Sequence, residues 1–390
     1  MANRVGIVSL AQVNYKERMK LVEEELLYEA IKPILDETGL SFGPAYEHGE
    51  KWIDASLCCH EHTRIVKPFS ESQEVDVIGG NMRPDEKVDQ DGALGIVEAM
   101  WQILSGDFET VLMGSICHDN INSSCGNMIE NFTFDPFYHR SLGLDNRNVA
   151  ALQARRYMYK YGVTHEQYAK VAVKNLKNAK DNPLAIMSGD FSVEDVLTSR
   201  MIADPITALE TRPVGDGACA MLLANEERAK KLSSKPVWIK GVGICCDSYF
   251  LGDRELADCD CLVRAAKRCY QMAGITDPRK EVDVAEVTDE FSYQELMAYD
   301  GLGFCGRGEG GMLIDSGVTQ RGGELPVNPS GGPPPVYPRA SIGLGGIFEV
   351  VLQLRGEAGA RQVPGCKVGL AHFAGGHCGQ LQQVMILGTE

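Results

Sequence analysis

Residues 75–116 read VDVIGGNMRPDEKVDQDGALGIVEAMWQILSGDFETVLMGSI. Two short apolar, β-branched runs, VDVIGG at 75–80 and TVLMGSI at 110–116, flank GALGIVEAMWQIL at 92–104. Runs of the first kind predict buried strands, and apolar residues three and four apart between them predict a helix. Asp89 or Asp91 is its predicted N-cap, because a carboxylate there accepts from the first free backbone N–H groups. Strand, helix, strand in succession points to the α/β class.

The same alternation continues in both directions. VGIVSL at 5–10, AMLLAN at 220–225, VWIKGVGIC at 237–245, VDVAEV at 282–287, KVGLAH at 367–372 and QVMIL at 383–387 read as strands. Residues 262–273, 292–299 and 342–354 read as helices. Continuous apolar strands predict sheets covered on both faces and mainly parallel. The order of elements suggests two pseudo-duplicated halves, 1–225 and 226–390. From about 118 to 195 the character changes to aromatic-rich loops and helices at 149–161 and 165–179, which reads as an inserted loop domain. The aromatics of NFTFDPFY at 131–138 line an apolar pocket or form that insertion's own core.

A chain of 390 residues with 44% hydrophobic and 24% charged residues can bury a large core. Its net charge of −16 and lack of a basic stripe argue against nucleic acid. The opening MANRVGIVSL is too briefly apolar for a signal peptide, and no stretch approaches the ~18 apolar residues of a membrane span. A cytoplasmic location is the expectation, with the 13 cysteines as reduced thiols. No CxxC spacing occurs, so no zinc ribbon and no bound metal are expected in this chain. Cys58, Cys59, His60 and His62 form a local cluster that reads as a metal site or as a strand end entering a polar loop.

NPSGGPPPVYP at 328–338 cannot be helical. A rigid loop of this kind either holds a side chain at a fixed point or merely connects two elements.

Seven segments in order resemble the thiolase superfamily, in its sterol-carrier-protein-like branch. They are ARRYMYKYGVTHEQYAKVAVKNLKNAKDNP at 154–183, SRMIADPI at 199–206, GDGACAMLL at 215–223, GFCGRGEGG at 303–311, VNPSGG at 327–332, LQLRGEAG at 352–359 and AHFAGG at 371–376. The resemblance implies two αβα halves stacked as five layers with a loop domain in the first. It also implies coenzyme A thioester substrates, no covalently bound cofactor, and chemistry where the halves meet.

The family pairs a nucleophilic Cys with His residues from a His-Asp-x-Phe and a His-Pro segment. Here those positions carry Asp89, Thr288 and Tyr337. A carboxylate forms only a labile mixed anhydride, so Asp89 reads as a general base, a charge that orients substrate, or a cap. Tyr337, a phenol with an unperturbed pKa of about 10, can exchange a proton with a β-hydroxyl or an enolate. The pattern resembles the steroid side-chain retro-aldolases, which lack the Cys and have Tyr at the His-Pro position. That group also has Tyr where this chain has Thr288; Tyr293 is a candidate second phenol or a core residue. Backbone donors at Gly375 and Gly376 are the candidate oxyanion hole.

Two competing readings remain open at this point. Cys117 or Cys378 is a displaced nucleophile for thiolysis, or free coenzyme A attacks directly, as in a thiolase-like subunit that cleaves benzoylsuccinyl-CoA. Alternatively the chain is a non-catalytic acyl-CoA-binding scaffold. The resemblance further implies a homodimeric core and a small OB-fold, zinc-ribbon partner, together a heterotetramer.

Overall fold

In the computed structural model, residues 4–15, 21–43, 49–59, 71–88, 91–118, 130–211, 213, 215–332 and 342–390 are described. The first half runs β1 (Val5–Tyr15), α1 (Glu23–Thr38), β2 (Ser41–Phe42), β3 (Trp52–Ile53), β4 (Ala55–Cys59), α2 (Glu71–Ile78), β5 (Asp85–Val88), α3 (Gly92–Ser105) and β6 (Thr110–His118). The chain then leaves the sheet through α4 (Asn146–Tyr161), α5 (His165–Asn178), α6 (Val193–Thr198), β7 (Met201–Ala203) and β8 (Ile206–Thr207). It returns as β9 (Asp216–Asn225). The second half runs α7 (Glu226–Leu232), β10 (Val237–Cys246), α8 (Asp260–Ala273), α9 (Pro278–Glu281), β11 (Val284–Val287), α10 (Ser292–Gly301), α11 (Gly310–Asp315), α12 (Ile342–Arg355), β12 (Val368–Gly375) and β13 (Leu381–Gly388).

Nine strands join in the order β11-β12-β13-β10-β1-β9-β6-β4-β5. The order is symmetric about the β10–β1 seam: β1, β9, β6 and β4 occupy the places that β10, β13, β12 and β11 occupy across it. The seam is short and antiparallel, with Gly6 opposite Trp238 and Ile7 opposite Val237. This is the physical form of the pseudo-duplication expected from the order of elements.

Three buried clusters separate five layers. The first lies between α1 and the first half-sheet and holds Leu27, Ile31, Leu112 and Leu222. The central one holds α3 and α12 between the two half-sheets, with Ile96, Met113, Leu344, Val351 and Phe373. The third packs α8 and α10 on the far side of the second half-sheet, with Leu262, Leu296, Leu370 and Val384. The thiolase fold expected above is therefore present.

Two expectations fail. The sheet is mainly antiparallel: β4 pairs parallel with β5 and β6, and β11 with β12, while the other five pairings run antiparallel. Continuous apolar strands report helices on both faces of a sheet, which holds here, and carry no information on direction. VDVIGG does not form a strand but ends α2, with Gly79 closing it at a φ of +84°. A run this short fits either period, and Ile78, on the buried face, joins the α1 cluster.

Candidate functional site

α3 and α12 start at the same place, beside the C-terminal end of β4. Asp91 caps α3: its Oδ1 accepts from the Ala93 N–H at 2.9 Å. Its Oδ2 accepts from the Gly343 N–H of α12 at 3.1 Å. One carboxylate, only 4% exposed, thus binds the first turns of two central helices from different halves. Gly343 must be glycine, since a Cβ there would lie 2.2 Å from Asp91 Oδ1. From β13, Gln383 donates its Nε2 to the Ala93 carbonyl at 2.6 Å, a second link between α3 and the other half. The Cys59 thiol at the end of β4 donates to the Asp91 carbonyl at 3.0 Å. Cys58 and Cys59 are buried strand residues; His60 and His62 lie outside the described residues. Asp89 and Tyr337, the two principal candidates, also lie outside them.

Behind this junction, buried polar side chains pin the loop after Val327. Asn328, with a φ of +53°, donates its N–H to the Ala285 carbonyl at 2.8 Å, and its Oδ1 accepts from the Val287 N–H at 2.8 Å. Ser330 donates both its N–H and its hydroxyl to Glu286. Gly331, at a φ of +106°, leaves no room for a Cβ, which would lie 2.6 Å from Ala179. Residues 328–332 are therefore a buried, rigid loop rather than a surface connector; 333–338 lie outside the described residues.

Burial, with Glu349 nearby, pushes the Glu286 carboxyl up to about 8. Burial and the adjacent Glu295 hold Asp289 well above the usual carboxylate range. Lys174 of α5 pairs with Glu295 in this interior: its Nζ sits 2.8 Å from Glu295 and donates to the Val327 carbonyl at 2.7 Å. Thr288 donates its hydroxyl to the His372 carbonyl at 3.0 Å. That proton is committed to the backbone, so Thr288 as it stands can only accept from a ligand.

The Gly375–Gly379 turn closes the same end of the second half-sheet. Gly376, Cys378 and Gly379 are left-handed, with φ of +67°, +53° and +63°. Arg254 fixes the turn by donating to the His377 and Cys378 carbonyls, both at 2.7 Å. The Cys378 thiol donates to the Val149 carbonyl at 3.4 Å, and burial pushes it up to about 12. It is a protonated core thiol rather than a thiolate. His377 stacks on Phe134 with centroids 3.5 Å apart, and burial draws it down to about 4. Phe134 is thus a core residue of the inserted stretch, whereas Phe132, Phe137 and Tyr138 are exposed. Tyr293, fully buried, donates to Gln153 at 2.8 Å and is a core residue.

A cavity of about 40 Å³ is lined by Gln153, Arg254, Cys261, Thr288, His372 and Cys378 among others. It faces α8 and α10, across the second half-sheet from Asp91. The Gln382 amide gives its Nε2 to the Gly379 carbonyl, so its Oε1 accepts from His372 Nε2 at 2.7 Å. His372 Nδ1 is left as a buried acceptor with no partner among the described residues. That volume holds a few waters and is far below the ~300 Å³ of an ordinary ligand pocket, so this cavity is a poor seat for a thioester.

The structure brings Thr288 and Cys378 to one cavity, with Gly375 and Gly376 in the adjoining turn. Cys117 lies in the other half-sheet, 3% exposed, with its thiol 3.9 Å from the Gly215 carbonyl. Gln383 and the second partner of Asp91 escaped the sequence reading because the backbone atoms involved, the Ala93 carbonyl and the Gly343 N–H, are distant in sequence. Only the capping rule signalled Asp91. Among the described residues no group of three His, Cys, Asp or Glu side chains could hold a metal ion, and no helix is long and apolar enough to cross a membrane.

Residues 244–389 match the family described as Thiolase C-terminal domain-like. An acetyl-CoA acetyltransferase of Methanothermobacter thermautotrophicus is 39% identical over 244 residues, 62% of this chain and 63% of that protein. The benzoylsuccinyl-CoA thiolase subunit BbsB of Thauera aromatica is 34% identical over 231 residues, 58% of this chain and 60% of that subunit. The aligned stretch thus spans less than two thirds of either relative's length. The solved Ltp2-ChsH2(DUF35) aldolase superposes with a TM-score of 0.81 at 23% identity, covering 99% of this chain and 98% of that one. At that identity the superposition shows a shared fold.

Proposed function

Because the chain belongs to the thiolase superfamily, in the branch resembling sterol-carrier-protein thiolases, we propose that it breaks or forms a carbon–carbon bond beside an acyl-CoA thioester. The reaction is of retro-aldol type on a 3-hydroxyacyl-CoA. A base removes the 3-hydroxyl proton, and the Cα–Cβ bond breaks. The carbonyl product departs and the electron pair passes to the thioester enolate, which is then protonated at Cα. No acyl-enzyme forms, so no sulfur nucleophile is required. Asp89 and Tyr337 are the proposed proton-transfer groups, and the turn at Gly375 and Gly376 is the proposed enolate site.

The observation that carries this reading is the state of the sulfur. Cys378 is a buried thiol held up to about 12, Cys117 is buried against the Gly215 carbonyl, and Asp stands at the family's nucleophile position. Cys378 is therefore no thiolate poised for acyl transfer, and Cys117 is a core residue. A second reading is favoured by the similarity to an acetyltransferase and a thiolase subunit: free coenzyme A itself attacks a 3-oxoacyl-CoA. By the family resemblance its partner is a small OB-fold, zinc-ribbon protein on a homodimeric core; a relative named as a subunit and a neighbour named as a two-component aldolase support a second chain of some kind. A cytoplasmic setting suits these substrates.

The test offers a 3-hydroxyacyl-CoA without free coenzyme A, with and without a co-expressed partner. Release of a carbonyl compound and a shortened acyl-CoA is expected. Cleavage confined to 3-oxoacyl-CoA plus coenzyme A, or an acylated cysteine trapped by mass spectrometry, would overturn the retro-aldol reading. Binding without turnover in every arm would leave only the scaffold.

A further inference from the structure

Two glycines let α8 lie directly on β10. A Cβ on Gly241 would approach the Cys269 carbonyl to 2.4 Å, and one on Gly243 the Ala265 carbonyl to 1.8 Å. Side chains two apart on a strand share a face, and those four apart on a helix share a face. One step further along both elements, Cys245 follows Gly243 by two and Cys261 precedes Ala265 by four. The two thiols consequently face each other where strand and helix are in backbone contact. The Cys261 thiol donates to the Cys245 carbonyl at 3.1 Å, and the Cys245 thiol lies along the same stretch of backbone, 3.9 Å from the Cys246 carbonyl. Cys245 is partly exposed and Cys261 is 7% exposed.

We propose that Cys245 and Cys261 form a reversible disulfide under peroxide. Hydrogen peroxide oxidises the more accessible Cys245 to a sulfenic acid, releasing water. The Cys261 sulfur then displaces a second water, and the S–S bond closes. Two thiols lose two electrons in all, and peroxide takes them up. A dithiol reverses the step. The segment 246–260 between the two cysteines carries Arg254, which holds the His377–Cys378 turn, and Tyr249, which donates to the Thr133 carbonyl at 3.0 Å. The disulfide would close the base of this segment covalently. It stands independently of the proposed reaction.

The reduced full-length protein is treated with hydrogen peroxide, unfolded, alkylated and mapped by mass spectrometry. A peptide pair linked through Cys245 and Cys261 is expected, absent after dithiothreitol and absent from Cys261→Ser and Cys245→Ser. The Cys261→Ser hydroxyl keeps the hydrogen bond to the Cys245 carbonyl, so that variant retains its fold; its circular dichroism and melting curve check this. Full alkylation of Cys261 after oxidation, or linkage through Cys246 instead, would overturn the proposal.

Discussion

Buried carboxylates set the behaviour of this molecule at the residue scale. Asp91 is ionisable yet only 4% exposed, and it is stabilised by accepting N–H groups from two helices. The sequence offered two aspartates as cap for α3, and spacing could not choose between them. What decides is α12, some 250 residues away, whose first turn reaches Asp91. Glu286 shows the opposite balance. Burial, with Glu349 near, raises it to about 8, well above the unfolded value of about 4.3. A raised acid binds its proton more tightly in the folded state. Its contribution is full below about pH 4.3 and is lost as pH rises towards 8. Glu286→Gln should therefore be no more stable than the parent at pH 5 but more stable at pH 8.5, because the amide still accepts from Ser330. Denaturant midpoints at the two pH values measure this; a parallel loss for both proteins would rule it out.

At the scale of elements, the inserted stretch is held to the second half by polar chemistry rather than by an apolar face alone. α5 delivers Lys174, Asn175 and Asn178 to α10 and the 328–332 loop, where they meet Glu295, Asp289 and the Asn328 carbonyl. Helix existence in this stretch was legible: α4 and α5 fall where the 3.6 period placed them, and Thr164 caps α5 with Gln167 in a capping box. Their polar anchorage was not legible, since Lys174 lies among other lysines and only packing shows that it is 3% exposed. Lys174→Met should destabilise the fold by about 3 to 5 kcal/mol, because Glu295 would remain buried without its cation. Adding Glu295→Gln should recover part of that loss. A double-mutant cycle by denaturant unfolding tests the coupling, and strict additivity would show that Lys174 acts through its methylenes alone.

For the whole molecule, the question is what makes two α/β halves one structure. The sheet seam is small: two residue pairs join β1 to β10. The central layer does more, because α3 belongs to the first half and α12 to the second, and both lie in one apolar cluster. The two helices pack closely at their first turns, where a Cβ on Gly92 would meet Leu344 Cβ at 2.8 Å and one on Gly343 would meet Ala93 Cβ at 2.6 Å. The motif segments implied stacked halves, but no single segment states that one helix from each half completes a common core; that is a property of long-range packing. The consequence is cooperative. Leu344→Ala removes a fully buried side chain, with an expected loss of about 2 to 5 kcal/mol. Since its neighbours come from both halves, backbone amides of β4 and β6 should lose hydrogen-exchange protection together with those of β12 and β13. Exchange that quickens in the second half-sheet while the first keeps its protection would mean that the halves are separately stable and merely touch at Asp91.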